Sequence, residues 1–157
     1  RLNHGTFSRF LTNMKNIGSR LNLRGPKGSA ILQANSSNLN ILFIVTGSGI
    51  SPVFNILMNN VFSVKPSVFW GLRKDIDYPT LIGETISRLA DLKVCYSSDN
   101  IRVTSEYNNI KFTKYDLIYI AGNPQMIDEL KAYLEESQTF GGVKYITDPF
   151  YYQAEEN

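Results

Sequence analysis

The residues best suited to chemistry in this 157-residue chain are Thr46-Gly47-Ser48-Gly49-Ile50-Ser51-Pro52, and the chemistry they suit is the holding of a nucleotide diphosphate. Gly47 and Gly49 lack Cβ, so the backbone there is free to adopt positive φ and to approach an anion closely. Pro52 fits the first position of a helix, where its missing N–H is no loss. The N–H groups that follow carry the positive end of the helix dipole. An ordinary β-to-α turn is the alternative reading, since turns with two glycines are common. The familiar G-x-G-x-x-G dinucleotide fingerprint is not met, because counting from Gly47 puts Pro52 where the third glycine belongs.

Such a turn needs a strand before it and a helix after it. Residues 41–45 are an unbroken apolar run with three β-branched members, as expected of a parallel strand buried on both faces. From Asn40 onward strand-like and helix-like runs alternate, which predicts an α/β fold with a parallel sheet flanked by helices. The spacing of Val53, Ile56, Leu57 and Val61 predicts a helix over 53–61, followed by a strand over 67–72. A second helix is expected over 81–92 with Leu81, Ile82, Thr85, Ile86 and Leu89 inward, and a strand over 93–97. Residues 98–114 read as a hairpin closed around Tyr107-Asn108-Asn109. A strand over 115–121 then ends at Gly122-Asn123-Pro124. Met126, Ile127, Leu130 and Leu134 set a helix over 126–136, and a short strand over 143–147 precedes Phe150-Tyr151-Tyr152. The first 35 residues differ in character: a short helix over 5–15, an alternating run over 20–24, and a stop at Gly25-Pro26-Lys27-Gly28. The polar Asn35-Ser36-Ser37-Asn38 reads as a linker between two parts, 1–35 and 36–157.

With 16 basic and 14 acidic side chains, the net charge of +2 offers no electrostatic case for nucleic acid or an acidic membrane. Arg20, Arg24 and Lys27 cluster, but as a solvated loop. A single cysteine, Cys95, cannot form an internal disulfide, and no spacing suits a metal. A reducing compartment is the simplest fit. No apolar run reaches the length of a membrane helix and no signal segment opens the chain, so a cytoplasmic protein is expected. His4 and Cys95 have no partners in a triad or metal pattern and are assigned no role. Because the chain opens on Arg1, it is expected to be a piece of a longer polypeptide.

Four separated motifs, in order, resemble those of the ferredoxin–NADP reductase superfamily of flavin-dependent reductases. Gly5-Thr6-Phe7-Ser8 is similar to its G-x-x-S flavin-phosphate turn, and Arg24-Gly25-Pro26-Lys27-Gly28 to its G-P-x-G loop. Thr46-Gly47-Ser48-Gly49-Ile50-Ser51-Pro52 matches its T-G-x-G-I-x-P nicotinamide-side loop, while Ile120-Ala121-Gly122-Asn123-Pro124-Gln125-Met126 resembles its C-G-x-P-x-M motif. Trp70-Gly71-Leu72-Arg73 stands where the family has an aromatic-G-x-R strand end. The resemblance implies a parallel five-stranded nucleotide-binding sheet flanked by helices, preceded by a remnant of an antiparallel flavin-binding barrel. Residues 1–35 are then the end of the barrel and 36–157 the NAD(P)-binding domain. The family's upstream R-x-Y-[ST] strand falls before Arg1.

For function, the resemblance implies a flavin-dependent oxidoreductase that transfers hydride from NAD(P)H to a bound FAD or FMN. Electrons then pass to a ferredoxin-like protein, an oxygenase or free flavin. A nucleotide-binding module without catalytic competence, or a truncated piece lacking a complete flavin site, is the alternative. The implied flavin-side contacts are Gly5, Ser8, Gly25, Gly28 and the terminal aromatics from Phe150. Those implied for the nucleotide are Gly47, Ser48, Gly49, Pro52, Arg73, Gly122, Asn123, Pro124 and Met126. Thr46 and Ala121 are expected at the reacting edge, Thr46 offering its hydroxyl to a carboxamide and Ala121 replacing the cysteine of many relatives. Ser97-Ser98-Asp99 occupies the place where NADPH-using relatives carry Ser-Arg. Asp99 repels a 2′-phosphate and suits a ribose diol, so NADH is the expected donor, with Arg102 or Lys111 as the cations that would favour NADPH instead.

Overall fold

The computed structural model describes residues 10, 13, 16–20, 22, 30, 32, 34–75, 78–136 and 143–150. Most of the barrel remnant expected over 1–35, with its helix and alternating run, lies outside them, as do Tyr151 and Tyr152.

Five six-residue strands form one parallel sheet: β1 (Ile41–Thr46), β2 (Ser67–Leu72), β3 (Asp91–Tyr96), β4 (Leu117–Gly122) and β5 (Lys144–Pro149). Their order is β3-β2-β1-β4-β5, and every neighbouring pair is parallel. Three helices accompany them: α1 (Ile50–Asn59), α2 (Thr80–Leu89) and α3 (Pro124–Glu136). The chain steps outward from β1 to β3, then returns past β1 to build β4 and β5. The direction of winding therefore reverses between β1 and β4, leaving a crevice beyond their carboxyl ends.

β1 and β4 are continuous apolar runs because both their faces are covered. Ile41, Phe43 and Val45 join Leu117, Tyr119 and Ala121 beneath Val53 and Leu57 of α1 and Ile86 of α2. Leu42, Ile44, Ile118 and Ile120 pack on the other face beneath Met126, Ile127, Leu130 and Leu134 of α3. Tyr119 also ties β4 to β5, its hydroxyl donating to Asp148 Oδ2 at 3.4 Å. Among the described residues no helix is long and apolar enough to cross a membrane.

Three expectations are corrected. α1 begins three residues earlier than its apolar spacing suggests and stops at Asn59, which leaves Val61 88% exposed. In α2 the inner face is centred on Gly83 and Ile86, while Leu81 is 79% exposed and Leu89 lies at the surface. The glycine is what hid this face: it carries no hydrophobicity, yet its missing Cβ leaves room for the ring of Tyr78. The helix also ends sooner than expected, because Asp91 N–H donates to the Pro66 carbonyl (2.8 Å) and β3 starts there instead of at 93.

The third correction concerns residues 98–114, which form no hairpin. They run as 3-10 turns over Ser97–Asp99, Val103–Asn109 and Phe112–Lys114. Val103, Tyr107 and Ile110 recur at spacings of four and three, a helical signal, and all are buried on the α3 face of the sheet. Lys93 of β3 donates to Glu106 at 2.5 Å, and Asn109 Nδ2 adds a second donor at 3.4 Å. The Lys93 hydrogen bond, with Asn109 next, holds the Glu106 carboxyl below its ordinary range.

Two measurements test this packing. Ile86→Ala is expected to cost roughly 2–4 kcal/mol in denaturant unfolding and Leu81→Ala under about 0.5 kcal/mol; equal losses would contradict the orientation of α2. Because the folded Glu106 pKa is depressed, its contribution is present above the ordinary carboxylate pKa and lost as pH falls through the depressed value. Glu106→Gln should therefore cost up to ~1 kcal/mol at neutral pH, with the gap to the parent closing in acid. A gap that persists in acid would mean the loss is one of packing.

Candidate functional site

Since all strands are parallel, their carboxyl ends share one rim of the sheet. That rim brings together Thr46, the Gly47–Gly49 turn, Arg73, Ser97-Ser98-Asp99, Gly122-Asn123 and Phe150. Residues as far apart in sequence as Thr46 and Phe150 thus meet in one region, with the β1–β4 crevice at its middle.

The crevice is built on a close contact. Gly122 has φ +122°, and a Cβ there would stand 2.6 Å from the Thr46 carbonyl oxygen and closer still to its hydroxyl. Thr46 Oγ1 accepts the Asn123 N–H at 2.9 Å. A hydroxyl has one donor and two lone pairs, so this bond leaves the O–H of Thr46 able to donate. The Gly122 carbonyl in turn accepts the Phe150 N–H at 2.8 Å, which brings the end of β5 to the same place. Phe150 is half-buried against the α1 side of the core.

Gly47 and Gly49 have different tasks. Gly47 has φ +53° with open space where a Cβ would be, so the turn itself requires it. Gly49 has φ −57°, within reach of any residue; its requirement is steric, since a Cβ would lie 2.5 Å from the Ala121 carbonyl oxygen. It is an approach of backbone to backbone, where the sequence pointed to an approach to an anion. Gly47 and Ser48 are exposed. Pro52 stands third in α1, behind Ile50 and Ser51, and not first; its missing N–H is still harmless, because the first-turn donors have no acceptor within the helix.

The two helices flanking the crevice differ at their starts. Pro124 occupies the first position of α3, Asn123 Oδ1 accepts the Gln125 N–H (2.9 Å), and the Asn123 carbonyl accepts Ile127 N–H (3.1 Å). That helix end is already capped. α1 has Gly49 at its cap and no side-chain acceptor there. Of the two helix starts at the crevice, that of α1 is the one no side chain caps.

Farther along the rim, the Arg73 carbonyl accepts Ser98 N–H at 2.9 Å and Ser97 Oγ at 3.4 Å, so the loops after β2 and β3 are bound together. Ser98 Oγ donates to Asp99 Oδ1 at 3.0 Å, and Asn100 turns the chain away at φ +59°. Arg73 and Asp99 are both exposed.

Ala121 and Met126 do not line the rim. Ala121 is fully buried beside Gly49, and Met126 packs into the core under α3. Gly5, Ser8, Gly25 and Gly28 lie outside the described residues. Cys95 is buried at β3, and burial pushes its thiol pKa up, which makes it a poor nucleophile. Sequence reasoning missed Trp70 as a site residue: its Nε1–H donates to the Gly47 carbonyl at 3.0 Å. A buried indole always needs such an acceptor, and that was the available signal. It also missed Gly71, where a Cβ would meet Val103 Cγ2 at 2.5 Å and Thr46 Cγ2 at 3.1 Å.

No protein-family model and no curated protein matches this sequence. Solved structures share its fold. A point mutant of ferredoxin-NADP+ reductase from Plasmodium falciparum, in complex with 2'P-AMP, matches with a TM-score of 0.66 at 20% identity, over 94% of this chain and 66% of that one. An intact type IV self-sufficient cytochrome P450 monooxygenase matches at 0.58 and 15%, over 89% of this chain and 19% of the other. The flavohem-like FAD/NAD binding domain of nitric oxide dioxygenase from Vibrio cholerae O1 biovar El Tor matches at 0.52 and 11%, over 87% and 64%. The chain thus spans just under two thirds of the reductase. At these identities the likeness is one of fold alone, a five-stranded parallel sheet flanked by helices.

Gly122→Ala is expected to cost more than about 2 kcal/mol, since it meets both backbone collision and a forbidden φ. Gly47→Ala, with open space around it, should cost about 1 kcal/mol. Chemical denaturation of both variants checks this; equal costs would show that φ alone, and not the approach of β1, sets the requirement at Gly122.

Proposed function

We propose that this chain is the pyridine-nucleotide-binding portion of a flavin-dependent oxidoreductase. One observation carries the reading: the donor-bearing turn of α1, the Thr46 hydroxyl and Gly122 converge where the winding of the sheet reverses, in a fold shared with a ferredoxin-NADP+ reductase and an FAD/NAD binding domain. In this reading the diphosphate lies over Gly47-Ser48-Gly49 at the start of α1, with Pro52 fixing the first turn. Thr46 donates its remaining O–H to the nicotinamide carboxamide, beside Gly122, Asn123 and Pro124. Ala121 and Met126 act from beneath by packing the crevice floor.

The adenosine end lies toward Arg73 and Ser97-Ser98-Asp99. Asp99 places a negative charge where a 2′-phosphate would sit, so NADH is preferred over NADPH. A bound flavin supplies the acceptor of the hydride, and the chain's own residues orient the nucleotide and exclude water. In this reading Phe150, its N–H held by the Gly122 carbonyl beside the crevice, offers its ring to the flavin. The remaining flavin contacts, Gly5, Ser8, Gly25 and Gly28, belong to the segment 1–35, while 36–157 holds the nucleotide. A ferredoxin-like protein, an oxygenase or free flavin then takes the electrons.

Calorimetric titration with NADH and NADPH tests the reading. Both should bind, NADH more tightly, and Asp99→Asn should raise NADPH affinity ~5-fold, the order expected for removing one like charge near the surface. If neither nucleotide binds, the assignment is overturned, and tighter binding of NADPH would overturn the NADH preference. A yellow protein that reduces a dye with NADH supports the oxidoreductase, whereas a colourless protein that binds NADH is a nucleotide-binding module without catalysis.

A further inference from the structure

The peptide joining Gly47 to Ser48 is held by its carbonyl. That oxygen accepts the Trp70 Nε1–H at 3.0 Å and the backbone N–H of Ile50, which occupies both its lone pairs. In a trans peptide the C=O and the next residue's N–H point in opposite directions. Holding the Gly47 oxygen toward Trp70 therefore turns the Ser48 N–H away from the sheet, at a pair of exposed residues. A flip of this peptide would turn ψ of Gly47, which glycine tolerates, and also φ of Ser48, whose Cβ disfavours the positive region. The two hydrogen bonds to the Gly47 oxygen add to that backbone preference.

Trp70 is well placed for the task. It is 1% exposed in β2, its ring centroid is 5.7 Å from that of Tyr78 at 44°, and Tyr78 is seated where a Cβ on Gly83 would collide with it. A continuous line of packing runs from Gly83 of α2 through Tyr78 and Trp70 to the turn.

We propose that Trp70 is a positioning residue, which locks the Gly47–Ser48 peptide with its N–H outward so that the turn meets a diphosphate already formed, and that Tyr78 seated on Gly83 keeps the indole in place. The diphosphate rests on the function proposed above; the locked peptide does not.

Trp70 is the sole tryptophan of the chain, so a tryptophan analogue supplied in its place alters that residue alone. β-(3-Benzothienyl)alanine preserves the ring shape and puts sulfur where the N–H was. In the analogue-bearing full chain, and in Trp70→Phe if it folds, the dissociation constant for NADH should rise about 3- to 10-fold, the range for losing one neutral hydrogen bond. Without nucleotide, the Ser48 amide signal in ¹H–¹⁵N spectra should broaden or double as the peptide samples the flipped orientation. Gly83→Ala should do the same by displacing Tyr78. A Ser48 signal unchanged in the analogue-bearing protein would overturn the lock, whether or not nucleotide binds. If the parent chain binds no NADH, the nucleotide reading fails, and the Ser48 signal alone decides the role of Trp70. If the signal changes while NADH affinity stays within twofold, the claim that the lock serves the diphosphate is overturned.

Discussion

The contact between the end of β1 and the end of β4 is the constraint on which the rest of the site depends. Gly122 presents no Cβ, so the backbone of Thr46 can sit against it, and the Thr46 hydroxyl then reaches the Asn123 N–H. That single bond fixes the start of α3 relative to the end of β1. The Gly122 carbonyl holds Phe150 in the same way from the other side. One glycine and one threonine thus set the separation of three strand ends. The nearby approach of Gly49 to the Ala121 carbonyl sets the start of α1 on the same reference. A β-branched residue at Gly122 would disturb all of these together, because they share atoms.

The two faces of the sheet reach closure by different routes. Regular helices α1 and α2 cover one face, whereas α3 and a run of 3-10 turns cover the other. The turns bury Val103, Tyr107, Ile110 and Phe112 with a backbone too irregular to be a helix, and Asn108-Asn109 in the middle of the run favours that outcome. Val103 packs into the space that Gly71 leaves open beside Thr46, so the irregular segment also contributes to the crevice wall. Lys93 and Asp91 keep the β3 edge charged, which discourages further strand pairing there.

Much of this was legible in the sequence, and the failures share a cause. The buried middle strands announce themselves because two covered faces demand continuous apolar runs, and the α3 face is given residue by residue through Met126, Ile127, Leu130 and Leu134. Hydrophobic spacing misplaced α2 because Gly83, its most revealing inward residue, has no side chain to count. It misread 98–114 because short alternation around Tyr107-Asn108-Asn109 imitates a hairpin, while the i, i+4, i+7 relation of Val103, Tyr107 and Ile110 was the stronger pattern. The T-G-x-G-I-x-P and G-x-P stretches do end at one rim of the sheet, while Met126 packs into the core. What they did not disclose was which proline opens a helix, because Pro52 and Pro124 look alike in sequence and only Pro124 holds the first position.

The glycines of the sheet region carry a last argument about where a ligand belongs. Among the described residues from 34 to 136, Gly49, Gly71, Gly83 and Gly122 each have a neighbour of this chain in the space a Cβ would fill. Packing accounts for their identity, and at Gly122 a positive φ adds to it. Gly47 is different, since it faces open space and is required only by the turn. A solvent-facing left-handed residue in a turn is commonly Asn or Asp as well as Gly, because short polar side chains tolerate that conformation. Any side chain at Gly47 would project over the same exposed surface as the Ser48 N–H, and an acidic one would set a negative charge at the start of α1. The bare backbone therefore leaves the start of α1 unobstructed from outside, whereas the other four glycines are filled by the chain itself.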